Sequence, residues 1–165
     1  DVVQYFTAKG TFIGKWGESG HGSGRFNRPE GVAVAPDGVV YVTDAKNDVV
    51  QYFTAKGTFI GKWGDGGSVV GQFHWPSGIA AAPDGSFYVA DYGNNRVQHF
   101  SVAGVFLGEW GNTGDHDPIH FNRPAGVAVG PDGTVYVADT WNHRIQRISA
   151  EGTLLGRWGS YGTGE

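Results

Sequence analysis

The sequence contains neither cysteine nor methionine. A disulfide framework and a thiolate metal site are therefore excluded, and the redox compartment stays unconstrained. No apolar run approaches the length of a membrane span, which argues against membrane insertion by a helix. Charge is sparse too: Asp, Glu, Lys and Arg make up 17% of the 165 residues, the formal net charge is -4, and the twelve Lys and Arg are scattered. A broad phosphate-binding surface needs clustered cations, so nucleic acid is not an expected partner. No signal peptide is visible, but the chain starts in mid-repeat, so a leader is neither shown nor excluded. The letters leave its location unknown. A secreted or extracytoplasmic bacterial setting is the working expectation.

Glycine and aromatic residues are abundant, with 29 Gly and 14% Phe, Trp and Tyr. That composition suits short strands joined by tight turns, and no window shows sustained helical periodicity. Asp1 to Gly17, DVVQYFTAKGTFIGKWG, is repeated letter for letter at Asp48 to Gly64, an offset of 48 − 1 = 47 residues. Looser relatives end at Gly111 and Gly159, so 47 is a repeat length. A period in this range points to a solenoid, propeller or array.

The first complete unit holds four predicted strands: Gly31 to Ala35, Val39 to Thr43, Val49 to Thr54 and Thr58 to Trp63. Pro36-Asp37-Gly38 turns the first into the second, because proline fixes φ and glycine accepts a reversal. The same order recurs twice. The Pro-Asp-Gly turns advance by 83 − 36 = 47 and 131 − 83 = 48 residues. The extra residue falls in the loop from Asn112 to Ile119. In the second strand Val40 and Val42 alternate with Tyr41 and Thr43, so both faces are apolar or aromatic, as in a sheet packed between two others. Trp16, Trp63, Trp110 and Trp158 close each unit, and each is expected in the core beneath the next one.

The recurring Phe, Pro and GVAV, then PDG, VYVAD, N-x-R and a glycine-closed aromatic strand, resemble the NHL repeat along nearly the whole chain. The resemblance implies an all-β propeller of four-stranded antiparallel blades, here three complete blades plus an N-terminal two-stranded half blade, expected to be part of a larger or oligomeric ring. The divisions are 1–17 for the outer hairpin, 18–64, 65–111 and 112–159 for the blades, and 160–165 for the start of another inter-blade loop. Three inner strand pairs stand against four outer pairs, so the opening hairpin lacks its inner half. Self-association or further chain is expected to pair with residues 1–17, since a lone hairpin is marginal in water.

In the implied fold the inter-blade loops and the loops after the second strands share one rim. Arg28, His74, Trp75, Tyr92, Arg123, Trp141 and His143 are the candidate binding residues there; Trp75 and Trp141 lie outside the repeating tryptophan position. Asp44, Asp91 and Asp139, with Asn94, Asn142, Arg96 and Arg144, recur from blade to blade and are expected to close turns. Asp115, His116 and His120 form the one metal-like cluster, but its spacing matches no standard ligand motif.

The favoured function is a non-enzymatic scaffold recognising a protein or small molecule at the loop rim, with no cofactor. The alternative is a metal-dependent lyase using zinc or calcium, since some NHL-like propellers are lyases, including the amidating lyase and the streptogramin lyases. Against it, the first strands are read as lacking any His, Asp or Glu aimed at a channel. A second alternative is an engineered or fragmentary assembly unit. RNA binding, known in some animal NHL proteins, wants a basic rim, and the acidic balance opposes it.

Overall fold

The computed structural model describes residues 1–111 and 119–162. An antiparallel hairpin of β1 (Val3–Phe6) and β2 (Phe12–Trp16) comes first. Two short strands, β3 (Glu18–Ser19) and β4 (Arg25–Phe26), then pair in parallel within the loop to the first blade. That blade is β5 (Pro29–Val34), β6 (Val40–Asp44), β7 (Val49–Phe53) and β8 (Phe59–Trp63). The second is β9 (Pro76–Ala81), β10 (Phe87–Asp91), β11 (Arg96–Phe100) and β12 (Phe106–Trp110), and the third is β13 (Pro124–Val129), β14 (Val135–Asp139), β15 (Arg144–Ile148) and β16 (Leu154–Trp158). Each blade is a four-stranded antiparallel meander in sequence order.

The first strands begin two residues earlier than the sequence suggests, at the proline, because Pro29 already pairs with Asp44. This places Glu30 inside β5, at the rim end of the strand. The Pro-Asp-Gly turns form as expected. Gly38 sits at φ 84° and donates its N–H to the Ala35 carbonyl at 2.9 Å, while the Asp37 carboxylate accepts from Val39 N–H at 3.0 Å. Glycine is needed there because a Cβ resists the left-handed region.

Packing between blades follows the tryptophans. Trp16 lies 4.5 Å, centroid to centroid, from Phe53 of the first blade, and Trp63 lies 6.2 Å from Phe87 and 6.0 Å from Phe100 of the second. Each indole rests on a glycine of the following blade: a Cβ on Gly57, Gly104 or Gly152 would run into Trp16, Trp63 or Trp110. The expectation of four core tryptophans is corrected: Trp16, Trp63 and Trp110 are half-buried at the edge of the core, and Trp158 is 49% exposed because no following blade covers it among the described residues. First-strand side chains such as Ala33 and Ile79 join Phe87, Val89 and Phe100 in a core that crosses the junction between the first two blades.

Candidate binding rim

One buried aspartate anchors the rim end of every blade. Asp44, Asp91 and Asp139 are fully buried, and each carboxylate gathers N–H donors from its own blade and from the preceding loop. Asp44 accepts from Asn27 N–H at 2.7 Å, Asn47 Nδ2 at 2.6 Å and Gln51 Nε2 at 2.9 Å. Asp91 accepts from His74 N–H at 2.8 Å, Asn94 Nδ2 at 2.9 Å, Arg96 Nε at 2.8 Å and Gln98 Nε2 at 3.1 Å. Asp139 does the same with Asn122 N–H, Asn142, Arg144 and Gln146. A buried charge needs this many partners. Burial still pushes Asp44 and Asp91 above the ordinary carboxylate value, against the pull of those bonds. The recurring Asp, Asn and Arg thus hold loops in place.

A second device fixes the loop tips. Arg28, Trp75 and Arg123 occupy equivalent repeat positions, and all three have positive φ, at 64°, 56° and 50°. Non-glycine residues adopt this region only when surroundings impose it, at a cost of order 1 kcal/mol. The imposing bond comes from the preceding outer hairpin. Asp1 Oδ1 accepts the Arg28 N–H at 3.2 Å, Asp48 Oδ1 accepts the Trp75 N–H at 2.8 Å, and Asn95 Oδ1 accepts the Arg123 N–H at 2.8 Å. Consecutive blades are therefore stitched together at the residues that carry the exposed side chains.

Those side chains form a row of alternating cations and rings. The Arg28 guanidinium stands 5.2 Å from the Trp75 ring centre. That of Arg123 stands 3.9 Å from Trp141 and 5.6 Å from Tyr92. Arg28 also pairs with Glu30 at 2.7 Å. Two grooves open between the blades: one of about 90 Å³ lined by Arg28, Glu30, Trp75 and Tyr92, and one of about 270 Å³ lined by His74, Trp75, Tyr92, Gly93 and Arg123. Gly93 has to be glycine, since a Cβ there would meet the His74 ring and carbonyl at 2.6 Å.

Six of the seven candidates, Arg28, His74, Trp75, Tyr92, Arg123 and Trp141, are thereby brought into one surface. His143 lies apart from both grooves and packs edge-on against Tyr161 at 4.9 Å. Among the metal candidates, Asp115 and His116 lie outside the described residues. The exposed His120 uses its backbone carbonyl to accept from Arg144 at 2.9 Å and Gln146 at 2.8 Å. Among the described residues no three His, Cys, Asp or Glu converge as a metal site would require. Sequence reasoning missed Gly93 and the stitching role of Asp1, Asp48 and Asn95. Their spacing of 27, 27 and 28 residues to Arg28, Trp75 and Arg123 was the signal available.

Four-stranded meanders stacked by face and stitched at one rim define a β-propeller built from repeats. The chain belongs to the NHL-repeat family: the NHL repeat matches at residues 26–51, 73–100 and 121–148. No curated protein matches it at the sequence level. Among solved structures it is similar to a streptogramin B lyase, with a TM-score of 0.70 and 20% identity over 98% of this chain and 49% of that one. It is also similar to virginiamycin B lyase from Staphylococcus aureus (TM-score 0.68, 18% identity, 96% of this chain, 48% of that one). A third is Kuenenia stuttgartiensis hydrazine synthase (TM-score 0.67, 23% identity, 97% of this chain, 43% of that one). The chain spans about half the length of these structures, and at such identities the likeness defines the fold.

Proposed function

We propose that this chain is a non-enzymatic recognition scaffold whose loop rim binds an anionic ligand carrying a flat apolar group. The observation that carries this reading is Arg123. Its guanidinium is exposed at the mouth of the larger groove, flanked by the Trp141 and Tyr92 rings, and among the described residues no carboxylate pairs with it. Arginine held between aromatic faces keeps its N–H edge available for a carboxylate or phosphate, while the neighbouring rings accept a planar partner by stacking. His74 and Trp75 also line this groove. Loops fixed by buried aspartates supply the rigidity that keeps the ordering cost of binding low.

The test is a tryptophan-fluorescence titration with a random copolymer of glutamate and tyrosine. Saturable quenching is expected, weakened at least tenfold by Arg123→Ala, little changed by Arg25→Ala, and reduced by added salt. Absence of saturable binding, or equal affinity in Arg123→Ala, overturns the reading.

Streptogramin B lyase and virginiamycin B lyase share the fold, which supports a second reading as a lyase. Incubating the protein and its Arg123→Ala variant with a streptogramin B antibiotic, and following its consumption by chromatography, decides between them. Turnover would replace the scaffold reading.

A further inference from the structure

The two grooves of the rim share Trp75 and Tyr92 but differ in charge. The residue after the first-strand proline is Glu30 in the first blade, Ser77 in the second and Ala125 in the third. Ser77 is 3% exposed and donates its hydroxyl to the Ala125 carbonyl at 3.0 Å, so it is turned into the junction with the third blade. Glu30 alone presents a charge. Its side chain is 31% exposed on the wall of the smaller groove, and its Oε1 lies 2.7 Å from Arg28 Nε. Its Oε2 makes no hydrogen bond among the described residues. Arg123, the equivalent cation of the third blade, has Ala125 in place of that acid. Two cations at the same repeat position, each beside an indole, therefore differ: one is neutralised and the other is not.

We propose that Glu30 sets the specificity of the rim, and that the ligand is a peptide segment with an acid on one side of an aromatic ring and a base on the other. This rests on the anionic, flat ligand proposed above and adds its second pole. An acid seated at Arg123 gains a guanidinium that no carboxylate holds. A second acid, in the smaller groove, meets a carboxylate already facing Arg28, and like charges at contact distance repel. A base in the same place meets the free Glu30 Oε2 beside the rings of Trp75 and Tyr92, an environment that favours a cation. The ligand's own ring rests between the poles, against the two aromatic residues common to both grooves. Discrimination comes as much from the repelled acid as from the attracted base. Both walls are held before a ligand arrives, because Asp1 and Asp48 fix the backbone of Arg28 and Trp75.

The experiment titrates the intact chain, followed by tryptophan fluorescence, with three peptides acetylated and amidated at their ends: Lys-Tyr-Glu, Glu-Tyr-Lys and Glu-Tyr-Glu. The better of the two mixed peptides is expected to bind at least about fivefold more tightly than the doubly acidic one. In Glu30→Gln that ratio should fall to within about twofold, because Arg28 is released to take the second acid. Glu18→Gln changes the net charge equally at an exposed acid outside both grooves, and should keep the ratio. An unchanged melting temperature verifies the fold of each variant. Equal affinities in the parent chain, a preference that survives in Glu30→Gln, or one lost equally in Glu18→Gln overturns this inference; if binding still weakens in Arg123→Ala, the scaffold reading stands. Absence of binding by all three peptides, or binding indifferent to Arg123→Ala, overturns both.

Discussion

Residues 1–17 and 48–64 are the same seventeen letters in two settings. In the second copy Val49, Val50, Gln51 and Phe53 are buried, at 6% exposure or less; in the first, Val2, Gln4 and Phe6 are exposed, Phe6 by 51%. Local structure is nonetheless the same. Both copies form a hairpin with the same register and the same bulge before the turn, and Thr7 and Thr54 close their turns alike. The hairpin is thus a local property of the sequence, while burial is conferred from outside by an inner strand pair and a loop. This separates the two links, because sequence and secondary structure are held constant and only packing differs.

If this account is right, equal substitutions in the two copies have unequal effects. The largest difference is expected at the phenylalanines. Phe53→Ala empties a site between Trp16, Phe26 and Phe59 and should cost about 3–5 kcal/mol, whereas Phe6→Ala should cost under about 1 kcal/mol. Chemical denaturation of the two variants measures both. Next comes the glutamine pair. Gln51 accepts from Gly24 N–H at 3.0 Å and donates to Arg25 carbonyl and to Asp44, so Gln51→Ala leaves several buried groups unpartnered and should cost about 2 kcal/mol. Gln4→Ala should be neutral within about 0.5 kcal/mol by the same assay.

The smallest effect sharpens the comparison through a third setting of the same position. His99 stands in the second blade where the copies carry Tyr5 and Tyr52, stacked on Tyr88 at 4.2 Å. Burial lowers its pKa from the ordinary 6.5, so the fold disfavours the protonated ring. Stability from this group is present above the ordinary value and is lost as pH falls from there through the lowered one. Melting temperature should therefore drop between pH 7.5 and pH 5.5 by more in the parent chain than in His99→Tyr. A drop equal in both would mean that His99 is not the titrating group.

Much of the fold was legible because repetition turns single residues into patterns. Each Pro-Asp-Gly marked a reversal, and VYVTD, FYVAD and VYVAD marked the second strands. The strand starts were misplaced by two residues because Pro29 and Glu30 read as loop, although an edge strand tolerates proline at its first position. The parallel pairing of β3 with β4 was not legible, since two-residue ladders inside a glycine-rich loop leave no periodicity. At the rim the residue types were readable but their assembly was not. Nothing in the local spelling of Arg28, Trp75 or Arg123 announces a positive φ, because the bond that imposes it comes from a residue of the preceding hairpin. Trp158 was misjudged for a similar reason. Its sequence context matches that of Trp63, and only the presence of a covering blade distinguishes them.

The central claim, that an inner strand pair rather than sequence gives the outer hairpin its stability, is tested most directly by amide hydrogen exchange read residue by residue with NMR. Proteolytic fragments lying within the two copies are identical and cannot separate them by mass. The account predicts that amides of Val49 to Phe53 exchange at least about 100-fold more slowly than their counterparts in residues 2–6. Equal protection of the two copies in the monomeric chain would contradict it.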